Sequence, residues 1–250
     1  MLIILSPSKT QDFSSILNIE SSNPLYVDKA NYLVRLLKKL SARELSELMS
    51  LSQKLSDITY NQFQHFNQNK YNENLKQAIF AYTGEVFNNI NPLTFSSKQI
   101  SFCQSHVRIL SGLYGVLKPL DLIQPYRLEM STNLGTKSEN NLLRFWEASI
   151  TKSLNQNEKE FIINLASKEY LKAIQINELK AQMIHIHFKE KKGDTYKVIG
   201  FFAKKARGLM VHFMVKNQID DPQSLKNFSQ DGYKFNSSFS TETDWVFTRN

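Results

Sequence analysis

Apolar residues along this chain follow two rhythms, and each change of rhythm marks an element. Positions 1–5 form a continuous apolar run that stops at Ser6-Pro7-Ser8-Lys9-Thr10. That pattern predicts a buried strand delivering a polar loop at its carboxyl end. From 28 to 66 the period turns helical, with Tyr32, Leu33, Leu36, Leu37 and Leu40 on one face and a capping-box pattern at Ser41-Ala42-Arg43-Glu44. This region is expected as a helical cap inside a single domain. Within it, 52–57 and 60–66 read as two short helices joined at Asp57-Ile58-Thr59, a helix-hairpin-helix-like arrangement without the usual glycines. Hairpins of that type offer backbone N–H groups to DNA phosphates, although short helices packed over a sheet share the pattern.

Further on, 75–82 predicts a helix running into a strand and then a loop at Thr83-Gly84-Glu85. Positions 96–103 predict a helix capped by Ser96 with Gln99 reciprocal, and 107–110 a strand. That strand delivers the most heavily punctuated stretch of the chain, LSGLYGVLKPLDLIQPYRLEM at 110–130. Gly112, Gly115, Pro119 and Pro125 specify a loop of fixed shape leading into a short strand, where Arg127 and Glu129 would share one face. A buried pair there is costly without partners or a ligand. Positions 141–155 carry Leu142, Leu143, Phe145, Trp146, Ile150 and Leu154 at helical spacing and read as core. Positions 161–165 form another apolar strand, after which Ser167 is placed either to cap a helix or to meet an anion. His185 and His187 alternate along a strand at 183–190, and a Lys192-Gly193-Asp194 turn returns the chain as a hairpin to 202. A helix over 203–215 then opens with Lys204, Lys205 and Arg207. Basic residues in a first turn oppose the helix dipole and invite an anionic ligand, unless they form a solvated basic face; the small Gly208 would leave room beside Lys204. Two aromatic strands at 232–235 and 244–247 close the chain at a sheet edge. The sum is a mixed α/β fold, a central mixed sheet with surrounding helices, in one domain over 1–250.

Composition narrows the function. Of 250 residues, 41% are hydrophobic and 12% aromatic, ample for one core. The net charge of +8 points to a polyanionic partner, though Lys and Arg are spread along the whole chain. The apolar run at 1–5 is too short for a signal peptide, and nothing approaches the ~20 residues of a membrane span, so a cytoplasmic protein with no membrane partner is expected. The single cysteine, Cys103, fits a reducing compartment. His185 and His187 have no third ligand at convincing spacing, so no metal is expected, and no cofactor. The loop at 6–10 lacks the glycines of a Walker loop, which leaves nucleoside triphosphate hydrolysis unsupported.

These features combine into one site. The carboxyl ends of the first strand, the 110–130 stretch, the strand at 161–165 and the last hairpin are expected to converge on a cleft. Lys9, Arg127, Lys204, Lys205 and Arg207 would supply positive charge, and Ser6 and Ser167 hydroxyls. Tyr114, Tyr126 or Tyr170 would stack on a base. Such a cleft would bind duplex or branched DNA with little sequence preference. The rival reading is an enzyme acting on a nucleotide or nucleobase, with Asp121, Glu129 and Glu169 as candidates for proton transfer.

Five blocks carry a resemblance over the whole chain: SPSKT at 6–10, LSGLYGVLKPLD at 110–121, QPYRLEM at 124–130, NLASKEY at 164–170 and KKARGLM at 204–210. In this order they resemble the YaaA family of peroxide-stress proteins. Ser8 stands where that family usually has Ala and Lys118 where it often has Arg, and neither change removes a charge. The resemblance implies an unusual α/β fold with a basic cleft and a helix-hairpin-helix-like element. It also implies DNA binding, and a role in limiting free iron and oxidative damage during hydrogen peroxide stress.

Overall fold

A computed structural model describes residues 1–14, 19–67, 75–158 and 160–250. Strand β1 (Leu2–Leu5) is buried at every position, as its unbroken apolar run requires. Helices α1 (Val27–Leu37), α2 (Ala42–Met49) and α3 (Gln53–His65) follow. The capping box of α2 forms in full: the Ser41 hydroxyl accepts from Glu44 N–H, and Ser41 N–H donates to the Glu44 carboxylate at 2.8 Å. One expectation is corrected here, because α3 is a single helix with no break at 57–59. Both polar residues there are satisfied inside the helix: Asp57 accepts from the Gln53 side chain at 2.9 Å, and the Thr59 hydroxyl donates to the Leu55 carbonyl at 2.7 Å. The hairpin lies instead between α2 and α3, where Ser50 takes a left-handed φ of 52°.

The remaining elements are β2 (Lys76–Gln77), α4 (Ala78–Ala81), α5 (Glu85–Ile90), α6 (Ser97–His106), β3 (Val107–Ser111), β4 (Gly115–Leu117) and β5 (Leu122–Ile123). After them come α7 (Leu142–Asn157), β6 (Phe161–Asn164), α8 (Lys168–Leu171), β7 (Gln182–Lys192), β8 (Thr195–Lys197), α9 (Gly200–Asn217), β9 (Lys234–Phe235) and β10 (Asp244–Arg249). The order of β2 and α4 reverses the expected helix and strand. Tertiary bonds decide it: β2 pairs with β5, and the N–H groups of Ala78 and Ile79 donate to the carbonyls of Asp121 and Pro119, both at 2.9 Å. A second correction concerns α9, which begins at Gly200 because the hairpin ends early, at Lys197. Lys204, Lys205 and Arg207 therefore lie beyond the first turn, where the dipole argument has faded.

The main sheet runs β4-β3-β1-β6-β7-β10-β9, with β8 hairpinned onto β7. Its centre, β3, β1, β6, β7 and β10, is parallel, and β4 and β9 close the edges antiparallel. The chain leaves β1 toward β3 on one side and leaves β6 toward β7 on the other. The adjacent carboxyl ends of β1 and β6 thus form a topological switch point, the place where open α/β sheets leave a crevice.

Two glycines set close approaches that fix the walls of this crevice. A Cβ at Gly112 would lie 2.4 Å from the Leu128 carbonyl oxygen, so its absence lets the 127–129 segment lie against the β3–β4 turn. A Cβ at Gly208 would lie 2.2 Å from the Val86 carbonyl oxygen, so Gly208 packs α9 against α5 and does not open space beside Lys204. Gly208→Ala is therefore expected to lower the melting temperature, although alanine favours a helix by about 1 kcal/mol over glycine. Relieving a backbone clash costs roughly 1–3 kcal/mol. Thermal denaturation followed by circular dichroism checks the sign, and a variant that melts at or above the parent would show that the helices separate freely.

Candidate functional site

The segment after β1 and the segment after β6 are stitched together at the switch point. Ser6 donates its hydroxyl to Ser167 Oγ at 3.2 Å and accepts from Ser167 N–H at 2.8 Å. Ser167 stands at the N-cap of α8, but its side chain makes no cap bond and engages Ser6 instead. On the other flank, Thr83 N–H donates to the Thr10 carbonyl at 3.0 Å, and Tyr126 N–H donates to the Gln11 side chain at 3.1 Å. Gly84, at φ 98°, turns the chain past Ser8 and Thr10.

These segments and α9 enclose a cavity of about 430 Å³. Its wall holds the cations Lys9, Arg127, Lys204 and Arg207, the carboxylates Glu85, Glu129 and Glu169, the rings of Tyr126 and Tyr170, and the hydroxyls of Ser6, Ser8, Thr10 and Ser167. Lys9 Nζ lies 2.7 Å from Glu129 Oε2, and Arg127 Nη2 lies at a longer 3.5 Å from Glu129 Oε1. Arg127 and Glu129 thus share the cleft as expected, although 126–129 lies outside any strand or helix. The pair also walls a second, smaller cavity of about 230 Å³ that reaches Ser50 in the α2–α3 turn. Glu169 is occupied by backbone, accepting from Ser131 N–H at 3.1 Å.

Arg207 differs from its neighbours. Burial disfavours its charged form and lowers its pKa from the ordinary guanidinium value. Its Nε, like that of Arg127, is buried with no hydrogen-bond partner among the described residues. Behind the cleft runs a chain of hydroxyls: Tyr126 bonds Tyr82 at 2.6 Å and Ser111 at 2.7 Å, and Ser111 accepts from the N–H groups of Leu113 and Tyr114. Burial pushes the Tyr126 phenol up to about 12, so it stays neutral and orders the wall.

Three expected site residues point elsewhere. Asp121 is buried apart from the cavity, accepting from the Ser22 hydroxyl at 2.6 Å and Lys118 N–H at 2.8 Å, and so shapes its own turn. Tyr114 is buried edge-on against Tyr126, with its hydroxyl accepting from Gln124 N–H at 3.1 Å, so its ring has no face to offer a base. Lys205 turns away to Asp231, at 3.1 Å. The last hairpin does not reach the cleft either; α9 supplies that wall. Glu85 was not anticipated, and Gly84 at the end of an apolar run was the available signal for it. His185 pairs with Asn164, and His187 with Asp244 at 2.7 Å. Among the described residues no group of three or more His, Cys, Asp or Glu is arranged to hold a metal ion.

Fold and cleft together define a mixed α/β protein whose candidate site lies outside the carboxyl ends of the parallel central strands of a mixed sheet, walled by arginine, lysine and hydroxyl side chains. The chain belongs to the YaaA family: residues 1–239 match the family described as peroxide stress protein YaaA. It is 47% identical over 252 residues to a UPF0246 protein of Acaryochloris marina, with 100% of both chains covered. It is 44% identical over 254 residues to a UPF0246 protein of Teredinibacter turnerae, covering 100% of this chain and 99% of that one. The UPF0246 protein of Rickettsia felis is 43% identical over 254 residues, with 100% of both covered.

Proposed function

We propose that this peroxide stress protein binds DNA and takes consecutive backbone phosphates into the cleft at the β1–β6 switch point. The observation that carries the reading is Arg207. A guanidinium sunk in a cavity wall, with a buried N–H unsatisfied, costs about 1–3 kcal/mol that an anionic ligand would offset. Arg127 offers a second such N–H, Lys204 and Lys9 add charge, and the hydroxyls of Ser6 and Ser167 are within the same wall. Glu129 sits on Lys9 and Arg127 as an internal stand-in that a phosphate would displace, since partly exposed pairs contribute only about 0–1 kcal/mol. The protein is proposed to act in the cytoplasm, where the buried free Cys103 stays reduced. Any lowering of free iron is proposed to follow from DNA binding and not from chelation.

A second reading is favoured by the cavity itself, whose size suits a small ligand and which encloses carboxylates. Under it the protein transforms a nucleotide or nucleobase, with Glu129 or Glu169 moving the proton. Glu129→Gln separates the two. For a DNA-binding protein, fluorescence anisotropy should show affinity unchanged or raised up to about 5-fold, because the variant removes a competing carboxylate. Loss of turnover on a nucleotide with ligand binding retained would make the enzyme reading primary.

A further inference from the structure

We propose that Phe201, at the entry to α9, is a stacking platform for an unpaired nucleobase beside the cleft; this rests on the DNA-binding reading. Val198 and Phe201 are 57% and 56% exposed. Lone exposed apolar residues are ordinary, but Phe201 stands three positions before Lys204 within α9, and Lys204 lines the cleft. Residues at that spacing are neighbours on a helix surface, so Phe201 lies one turn from a cleft cation. Its ring is also propped from behind. Phe202 packs against it at a centroid distance of 5.6 Å and is itself held under the Arg249 guanidinium at 4.6 Å. An exposed, propped aromatic face one helical turn from Lys204, in a segment that also carries the exposed Lys197, matches a base attached to its phosphates. A second copy of the chain fits poorly, because a two-fold contact on this patch would set lysines against lysines. Stacking needs a base that is free of its neighbours, so the ligand is single-stranded or locally melted DNA.

The test compares wild type, Phe201→Ala, Phe201→Tyr and Lys204→Ala by fluorescence anisotropy on a single-stranded oligonucleotide and a fully paired duplex across a salt series. Phe201→Ala should lose roughly 5- to 150-fold affinity for the single strand, from the usual worth of one base–aromatic stack. It should leave the salt slope unchanged, since no phosphate contact is removed, and Phe201→Tyr should restore most of the loss. Lys204→Ala should instead flatten the slope. Three outcomes overturn the platform: a Phe201→Ala variant that binds the single strand like wild type, one that loses salt slope as Lys204→Ala does, or one that changes mass by light scattering and so reveals a self-association patch. Wild type that binds neither DNA overturns the DNA-binding reading as well.

Discussion

Replacing Trp146 with alanine should lower the melting temperature by roughly 6–20 °C. The ring is fully buried, and truncating a buried tryptophan costs about 3–5 kcal/mol, with each kcal/mol worth about 2–4 °C in a chain of this size. The loss is not only volume. Trp146 Nε1 donates to the Gly112 carbonyl at 2.9 Å, and its ring fills the space where a Cβ of Gly115, at φ 72°, would lie 2.6 Å away. Gly112 in turn backs the Leu128 carbonyl, so α7 clamps the turn that seats Arg127 and Glu129. Calorimetry of the variant measures the clamp, and a shift below about 2 °C would show that the turn is held by other contacts.

The second large effect is on the ligand. The double substitution Lys204→Ala with Arg207→Ala should reduce affinity for DNA at least ~100-fold, because each charged hydrogen bond to a phosphate contributes about 1.5–3 kcal/mol. Both residues lie on one wall of the cavity, and Arg207 brings an Nε already stripped of water. The fold should survive: removing a partly buried, unsatisfied guanidinium relieves a desolvation cost, and Lys204 is exposed. Lys205→Ala serves as the control, since that side chain is spent on Asp231 and its loss should change affinity less than about 3-fold.

The difference between neighbouring lysines shows where the sequence was legible. Strands β1 and β6 are uninterrupted apolar runs closed by polar residues, and the loops they deliver meet at the switch point, so Ser6, Lys9, Ser167 and Glu169 could be placed near one another from pattern alone. The capping boxes at Ser41 and Ser96 also formed where their residues predict. Lys205 is only one residue from Lys204, but about 100° further around the helix it meets Asp231, a partner that periodicity does not reveal. Asp121 and Tyr114 lie in the most densely punctuated stretch, yet density of glycine and proline says nothing of which side chains turn inward. The failures at 57–59 and at β2–α4 have different causes. In the first, local side-chain bonds satisfied polar residues within a helix; in the second, backbone bonds to Pro119 and Asp121, distant in sequence, set the order of elements.

The most direct test of the cleft is the slope of log affinity against log salt for wild type and the Lys204, Arg207 double variant on the same DNA. If Lys9, Arg127, Lys204 and Arg207 each meet a phosphate, the wild-type slope should lie between about −2 and −4, and the variant should lose about 2 of it. A flat wild-type slope, or a variant as steep as wild type, would contradict phosphate binding in this cleft.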